Sequence, residues 1–154
     1  MSADAGEDTL ESRIRRLEDR ALIGEQVIKY ALAVDRRDWD MFADCFTDPV
    51  FVDYSENGVP AAEFARDDLV ALVRDALETY TATQHLSPNH ITEFDERDPD
   101  RAICYSSMFA QHHSHSRDEE LFVLRGSYTN HMVRTARGWR IERLIQHIGW
   151  GGSS

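Results

Sequence analysis

The sequence predicts an α+β domain in which one strongly curved, mixed but mostly antiparallel sheet wraps around N-terminal helices and encloses an interior. Three observations predict it. Apolar residues recur at helical spacing through the first half of the chain, the period changes to two from Thr83 onward, and the two regimes are segregated along the chain. The 154 residues, 42% of them hydrophobic, suit a single core, and no repeat, low-complexity tract or linker marks a second domain.

Residues 1–8 are small and acidic and are expected to form a disordered leader. Thr9 then offers an N-cap. Leu10, Ile14, Leu17 and Ala21, followed by Ile23, Val27, Ala31 and Val34, give an apolar stripe with a bend expected near Gly24. Arg36–Asp40 interrupts it, and Met41, Phe42, Cys45 and Phe46 suggest a short second helix ended by Thr47-Asp48-Pro49. Val50–Tyr54 is β-branched and aromatic and reads as a strand, Ser55-Glu56-Asn57-Gly58 as a turn, and Gly58-Val59-Pro60 as a brief extended segment. Leu69, Leu72, Val73, Ala76 and Leu77 have strongly helical spacing. Strands are expected at about 84–94, 101–115, 119–135 and 138–149, joined at Asp95–Asp100, His115–Asp118 and Arg137-Gly138. The domain therefore spans 9–150, with a flexible tail at 151–154.

The formal net charge of −11 argues for a soluble protein that repels nucleic-acid phosphates and anionic membrane surfaces, so neither is expected as a partner. The basic cluster Arg13–Arg20 alternates with Glu11, Glu18 and Asp19 and reads as a solvated helix face. No basic, apolar leader precedes Thr9, and no apolar run approaches a membrane span, which makes the cytoplasm the expected location. Cys45 and Cys104 are accordingly expected to be reduced and buried.

Asp35 is the residue that invites a chemical reading. It lies four residues after Ala31 and seven after Ile28, which stacks all three on one side of a helix. The bland alternative is an exposed acid at a helix end, since Arg36, Arg37, Asp38 and Asp40 surround it. The functional alternative pairs it with His85, at the entrance to a strand, where a carboxylate would set the imidazole tautomer and make the ring a better base. Tyr30 and Tyr54 are core residues by composition, yet a Tyr hydroxyl in a pocket can donate to a carbonyl that gains negative charge. In His112-His113-Ser114-His115, strand alternation separates His112 from His113 and His115, and thiolate or carboxylate ligands at metal-site spacing are missing nearby, so no metal is expected. His112 shares a face with Ser106, Met108 and Ala110. His113 and His115 are expected to face solvent or a partner subunit. Asn130 shares its face with Gly126, Tyr128 and Met132, as a lone amide on a mostly apolar surface or on a solvated one. No nucleophile elbow, phosphate loop, dinucleotide fingerprint or zinc-protease helix occurs.

Tyr30 with Asp35 and Asp38-Trp39, Asp53-Tyr54, Thr83-Gln84-His85, Gly126–Asn130 and Gly138-Trp139-Arg140-Ile141 together carry a family likeness. Over residues 10–150 the chain resembles the SnoaL-like branch of the nuclear-transport-factor-two-like superfamily. Within that branch it is most similar to the group of scytalone dehydratase, bile-acid dehydratase and hexachlorocyclohexane dehydrochlorinase. The resemblance implies a cone-shaped α+β barrel, an Asp35/His85 dyad with His85 as base, and Tyr30 and Tyr54 acting on a substrate carbonyl, directly or through water. It implies further that His112 and Asn130 line the cavity, with Met108 and Tyr128 beside them on the same strand faces. Where scytalone dehydratase carries a second Tyr just before its helix Asp, this chain has Val34, and the Tyr30 spacing looks like that of the bile-acid enzyme.

The reaction so implied is elimination of water from a hydrophobic cyclic or polyketide-like substrate, without metal or organic cofactor. An isomerase or cyclase would use the same dyad, and a non-catalytic binding domain would use only the pocket. The resemblance also implies a dimer or trimer joined through the outer face of the sheet, for which Phe109, Phe122 and Trp150 are suitable residues. An enzyme requires the Asp35 carboxylate within hydrogen-bond reach of a His85 ring nitrogen that faces a cavity.

Overall fold

The computed structural model describes residues 9–114 and 121–153. The leader expected at 1–8 and the turn expected at His115–Asp118 lie outside them. Thr9 caps the first helix, α1 (Leu10–Arg36), its Oγ1 accepting the Ser12 N–H at 3.1 Å. The helix runs unbroken through Gly24. That residue marks a close approach: a Cβ there would stand 3.1 Å from His90 Nδ1. The apolar stripe begins before the core does, since Leu10 and Leu17 are 71% and 67% exposed and burial starts only at Asp19, Ile23, Val27 and Tyr30. α1 ends at Arg37, whose left-handed conformation (φ 56°) lets its N–H and that of Asp38 reach back to the last helical carbonyls.

The second helix, α2 (Trp39–Ala43), is capped by Asp38, whose Oδ1 accepts the Met41 N–H at 3.0 Å. It is shorter than the sequence suggests, because Phe46 already belongs to strand β1 (Phe46–Tyr54). After a single 3-10 turn at Ser55–Asn57, β2 (Val59–Phe64) pairs antiparallel with β1, a longer strand than the brief segment expected at Gly58–Pro60. Helix α3 (Arg66–Leu77) buries Leu69 and Leu77.

The run expected as one strand over 84–94 is two, β3 (Ala82–Leu86) and β4 (Ile91–Phe94). Pro88 has no N–H to donate and Asn89 adopts a positive φ of 61°, so the ladder breaks between them. Both pieces pair with β5 (Arg101–His113), which continues into β6 (Leu121–Thr135) and β7 (Gly138–Ser153). The tail expected at 151–154 is thus paired strand as far as Ser153, opposite Phe122. The strand order is β2-β1-β7-β6-β5-β3, with β4 beside β5; β1 and β7 are parallel and the other pairs antiparallel. Between Arg125 and Gly126 the β6–β7 register shifts by one residue. Only glycine fits at 126, since a Cβ would lie 1.8 Å from the His147 carbonyl oxygen, and the bulge bends the sheet around the helices.

The core lies between α1 and the concave face. Tyr30, Phe42 and Phe46 form an aromatic cluster with centroids 5.0–6.0 Å apart. Cys45 and Cys104 are buried and unpaired with each other, and burial pushes the Cys45 thiol up to about 12. Phe122 turns inward onto the His112 ring, whereas the convex face carries Phe109, Arg125 and Trp150, with the guanidinium 4.6 and 4.1 Å from the two ring centroids. Phe122 is therefore not part of the outer face to which the sequence reading assigned it. Among the described residues no helix is long and apolar enough to cross a membrane.

Asp19 departs from the solvated face expected for Arg13–Arg20. Its oxygens accept two bonds from Arg134 (2.8 and 2.7 Å) and one from Trp139 Nε1 (2.9 Å), which fastens α1 to β6 and β7. Burial raises its pKa, but the bonds from Arg134 and Trp139 outweigh that and hold it below the usual carboxylate range. Asp19→Ala leaves Trp139 without an acceptor and Arg134 with only Asp100, and should lower unfolding free energy by about 2–3 kcal/mol, readable by urea denaturation.

Candidate active site

Asp35 ends up in the last turn of α1, facing the edge strand β3. Period-two alternation turns Thr83 and His85 toward it, while Gln84 and Leu86 face out. Asp35 Oδ1 contacts His85 Nδ1 at 2.7 Å and accepts the Thr83 hydroxyl at 3.0 Å. Oδ2 accepts the backbone N–H of His85 at 2.7 Å. The carboxylate is thereby held at both oxygens and cannot rotate without losing a bond. The exposed helix-end acid that the sequence left open is not what forms.

Arg37 completes the arrangement. Arg37 has left the helix and reaches Asp35 through Thr83. Its guanidinium donates to Val34 O at 2.6 Å and to Thr83 Oγ1 at 2.8 Å, so that Thr83 accepts from Arg37 while donating to Asp35.

With its Nδ1–H committed to a carboxylate, His85 keeps the lone pair on Nε2. The ring forms part of the wall of a cavity of about 120 Å³. Tyr30, Tyr54, His112, Tyr128 and Gln146 supply the other main polar surfaces, and Val34, Val59, Leu72, Val73, Leu77 and Leu124 the apolar ones. The His112 ring stands perpendicular to His85 with centroids 5.2 Å apart, packed against Tyr80 and Phe122. Burial first, and the adjacent His85 second, push its imidazole from 6.5 down to about 4. Tyr30 and Tyr54 join hydroxyl to hydroxyl at 3.0 Å, and Tyr128 stands edge-on to Tyr30 at 5.7 Å. Burial pushes all three phenols up, so they remain hydrogen-bond donors at neutral pH.

The structure brings together Asp35, His85, Tyr30, Tyr54, His112 and Tyr128. Asn130 and Met108 share the concave face, as alternation requires, but neither belongs to the cavity wall. Asn130 sits in the cross-strand row Cys104–Asn130–Leu144, all of it packed into the core, and Met108 meets the site through Gln146. Gln146 is the wall residue the sequence reading passed over. The signal was present, since Leu144, Gln146 and Ile148 alternate on one strand face and leave a single amide among apolar neighbours. His113 lies on the opposite face from His112, and His115 falls outside the described residues. Among the described residues, no three His, Cys, Asp or Glu side chains stand close enough to hold a metal ion.

The family model described as "SnoaL-like domain" matches residues 15–145. The chain belongs to the SnoaL-like domain family. An uncharacterised protein of Mycobacterium tuberculosis (strain H37Rv) is 26% identical over 135 residues, covering 86% of this chain and 87% of its own. Among solved structures, the Kfla4162 protein of Kribbella flavida has a TM-score of 0.83 at 26% identity, over 89% of this chain and 95% of its own. A hexachlorocyclohexane dehydrochlorinase, LinA type 2, has a TM-score of 0.81 at 18% identity, over 92% and 93%, and shares the fold.

The neutral His112 makes a pH prediction. Unfolding frees an imidazole that binds a proton near 6.5, whereas the folded site takes it only near 4. Stability from this group is complete above pH 6.5 and falls as the pH drops toward 4, by about 3 kcal/mol at most. Urea denaturation at pH 7 and pH 4.5 should show a smaller acid loss in His112→Gln than in the wild type.

Proposed function

We propose that this SnoaL-like protein is a cofactor-independent lyase, a dehydratase acting on a hydrophobic cyclic or polyketide-like hydroxy ketone. The reading rests above all on the 2.7 Å contact between Asp35 and a His85 ring that borders the cavity. His85 Nε2 removes a proton from the carbon beside the carbonyl, and the C–H electron pair moves onto the carbonyl oxygen as an enolate. Tyr54 donates to that oxygen, directly or through a water, while Tyr30, hydrogen-bonded to Tyr54 at 3.0 Å, holds it there. As the carbonyl re-forms, the C–O bond at the next carbon breaks. The leaving hydroxide takes the proton from His85 and departs as water. Asp35 orients the ring and offsets the imidazolium charge while it exists, and Thr83 and Arg37 keep the carboxylate aimed.

Two further considerations favour elimination. The cavity wall is largely apolar, which suits a hydrophobic ring. One structural neighbour is named for a dehydrochlorination, which is itself an elimination.

A panel of cyclic β-hydroxy ketones followed by mass spectrometry tests the reading through loss of water. His85→Ala, folded as judged by near-ultraviolet circular dichroism, should lose ~10²- to 10⁴-fold in turnover, with Asp35→Asn reduced in the same direction. Full turnover in His85→Ala overturns the assigned base. A product of unchanged mass replaces the dehydratase with an isomerase, and a wild type inert across the panel leaves a pocket that only binds.

A further inference from the structure

Gln146 reaches the cavity from β7, three places along the sheet from the strand that carries His85. Its side chain is buried. The amide nitrogen donates to Tyr128 Oη at 3.4 Å and contacts Met108 Sδ at 3.3 Å, whereas the amide oxygen hydrogen-bonds to no described residue. A buried acceptor without a partner is unfavourable in a packed interior, and protein cores rarely leave one.

The direction of the adjoining hydrogen bonds says what is missing. An amide nitrogen can only donate, so Tyr128 accepts from Gln146. Tyr30 and Tyr54 share one hydrogen bond at 3.0 Å, which takes up one of their two hydrogens. The polar row on the cavity wall therefore has two open ends. The Tyr30–Tyr54 pair retains one O–H to give, and Gln146 retains a carbonyl oxygen that needs a donor. Gln146 borders the cavity, so a ligand hydroxyl at that wall can supply the donor.

The space is small. At about 120 Å³ it is of the order of the ~150 Å³ cavity known to hold a benzene molecule, which points to one ring. We infer that the substrate is a single-ring ketone with a ring hydroxyl remote from the carbonyl, the hydroxyl donating to Gln146 Oε1 while the carbonyl accepts from Tyr54. Gln146 is then the residue that selects hydroxylated rings over plain ones. The placement of the carbonyl rests on the dehydratase reading; the demand for a donor at Gln146 does not.

Calorimetric titration with two unreactive probes separates the possibilities: cyclohexanone, and its analogue with a hydroxyl across the ring from the carbonyl. The wild type should bind the hydroxylated probe about tenfold more tightly, the worth of one satisfied hydrogen bond. Gln146→Met, which keeps the side chain's length, should abolish the preference, and Gln146→Leu should repeat the result if the Met variant does not fold. A wild type with no preference, a preference surviving in the folded variants, or no binding of either probe overturns the inference. His85→Gln should keep the preference. A preference without any turnover would leave the specificity in place and remove the dehydratase, whereas turnover without a preference would do the reverse.

Discussion

A carboxylate at the partly buried end of a helix has to be bonded, and the bonds that satisfy Asp35 also join the helix to the sheet. Its two oxygens take up the Thr83 hydroxyl, the His85 ring and the His85 backbone N–H, so one side chain clasps the C-terminal end of α1 to the edge strand β3. The same clasp determines which imidazole nitrogen keeps its lone pair. Positioning of the imidazole and attachment of the helix to the sheet are thus one interaction seen from two sides.

The other end of the buried part of α1 is held in a similar way. Asp19 binds Arg134 and Trp139, and Arg134 also lies over the Trp139 ring at 4.5 Å. Between these two anchors, Ile23, Val27, Tyr30 and Val34 cover the concave face. A helix pinned at two points can neither slide nor roll, which keeps Tyr30 in register with Tyr54 and Tyr128 on three different elements. The polar line across the cavity depends on that registration, because hydroxyl contacts near 3 Å tolerate little displacement.

Much of this was legible residue by residue. Asp35 stood out because a helical period made it an acid beside apolar neighbours, although Ile28, one of the residues that defined that face, is itself 47% exposed. The Asp35 row is the boundary of the buried stripe, which is where a charged group can keep contact with polar partners. His112 and Tyr128 were assigned to the correct face by alternation. Asn130 and Met108 were too, yet lie outside the wall, because alternation decides the face of a strand and not the depth along it.

The pairing of Asp35 with His85 was implied by the family resemblance, whereas the sequence by itself determined the class of fold, the division into helices and long antiparallel strands, and the place of each of these two residues on its element. Those features follow from periodicity and from short-range chemistry, which are local properties of a chain. Only the tertiary structure decided that the 84–94 run divides at Pro88 and Asn89, that Asp19 is an anchor and not a surface charge, and that Gln146 borders the cavity while Asn130 does not. Each of these depends on what lies opposite a residue across the fold: which strand it pairs with, which helix covers it, and whether the space between them is filled or open.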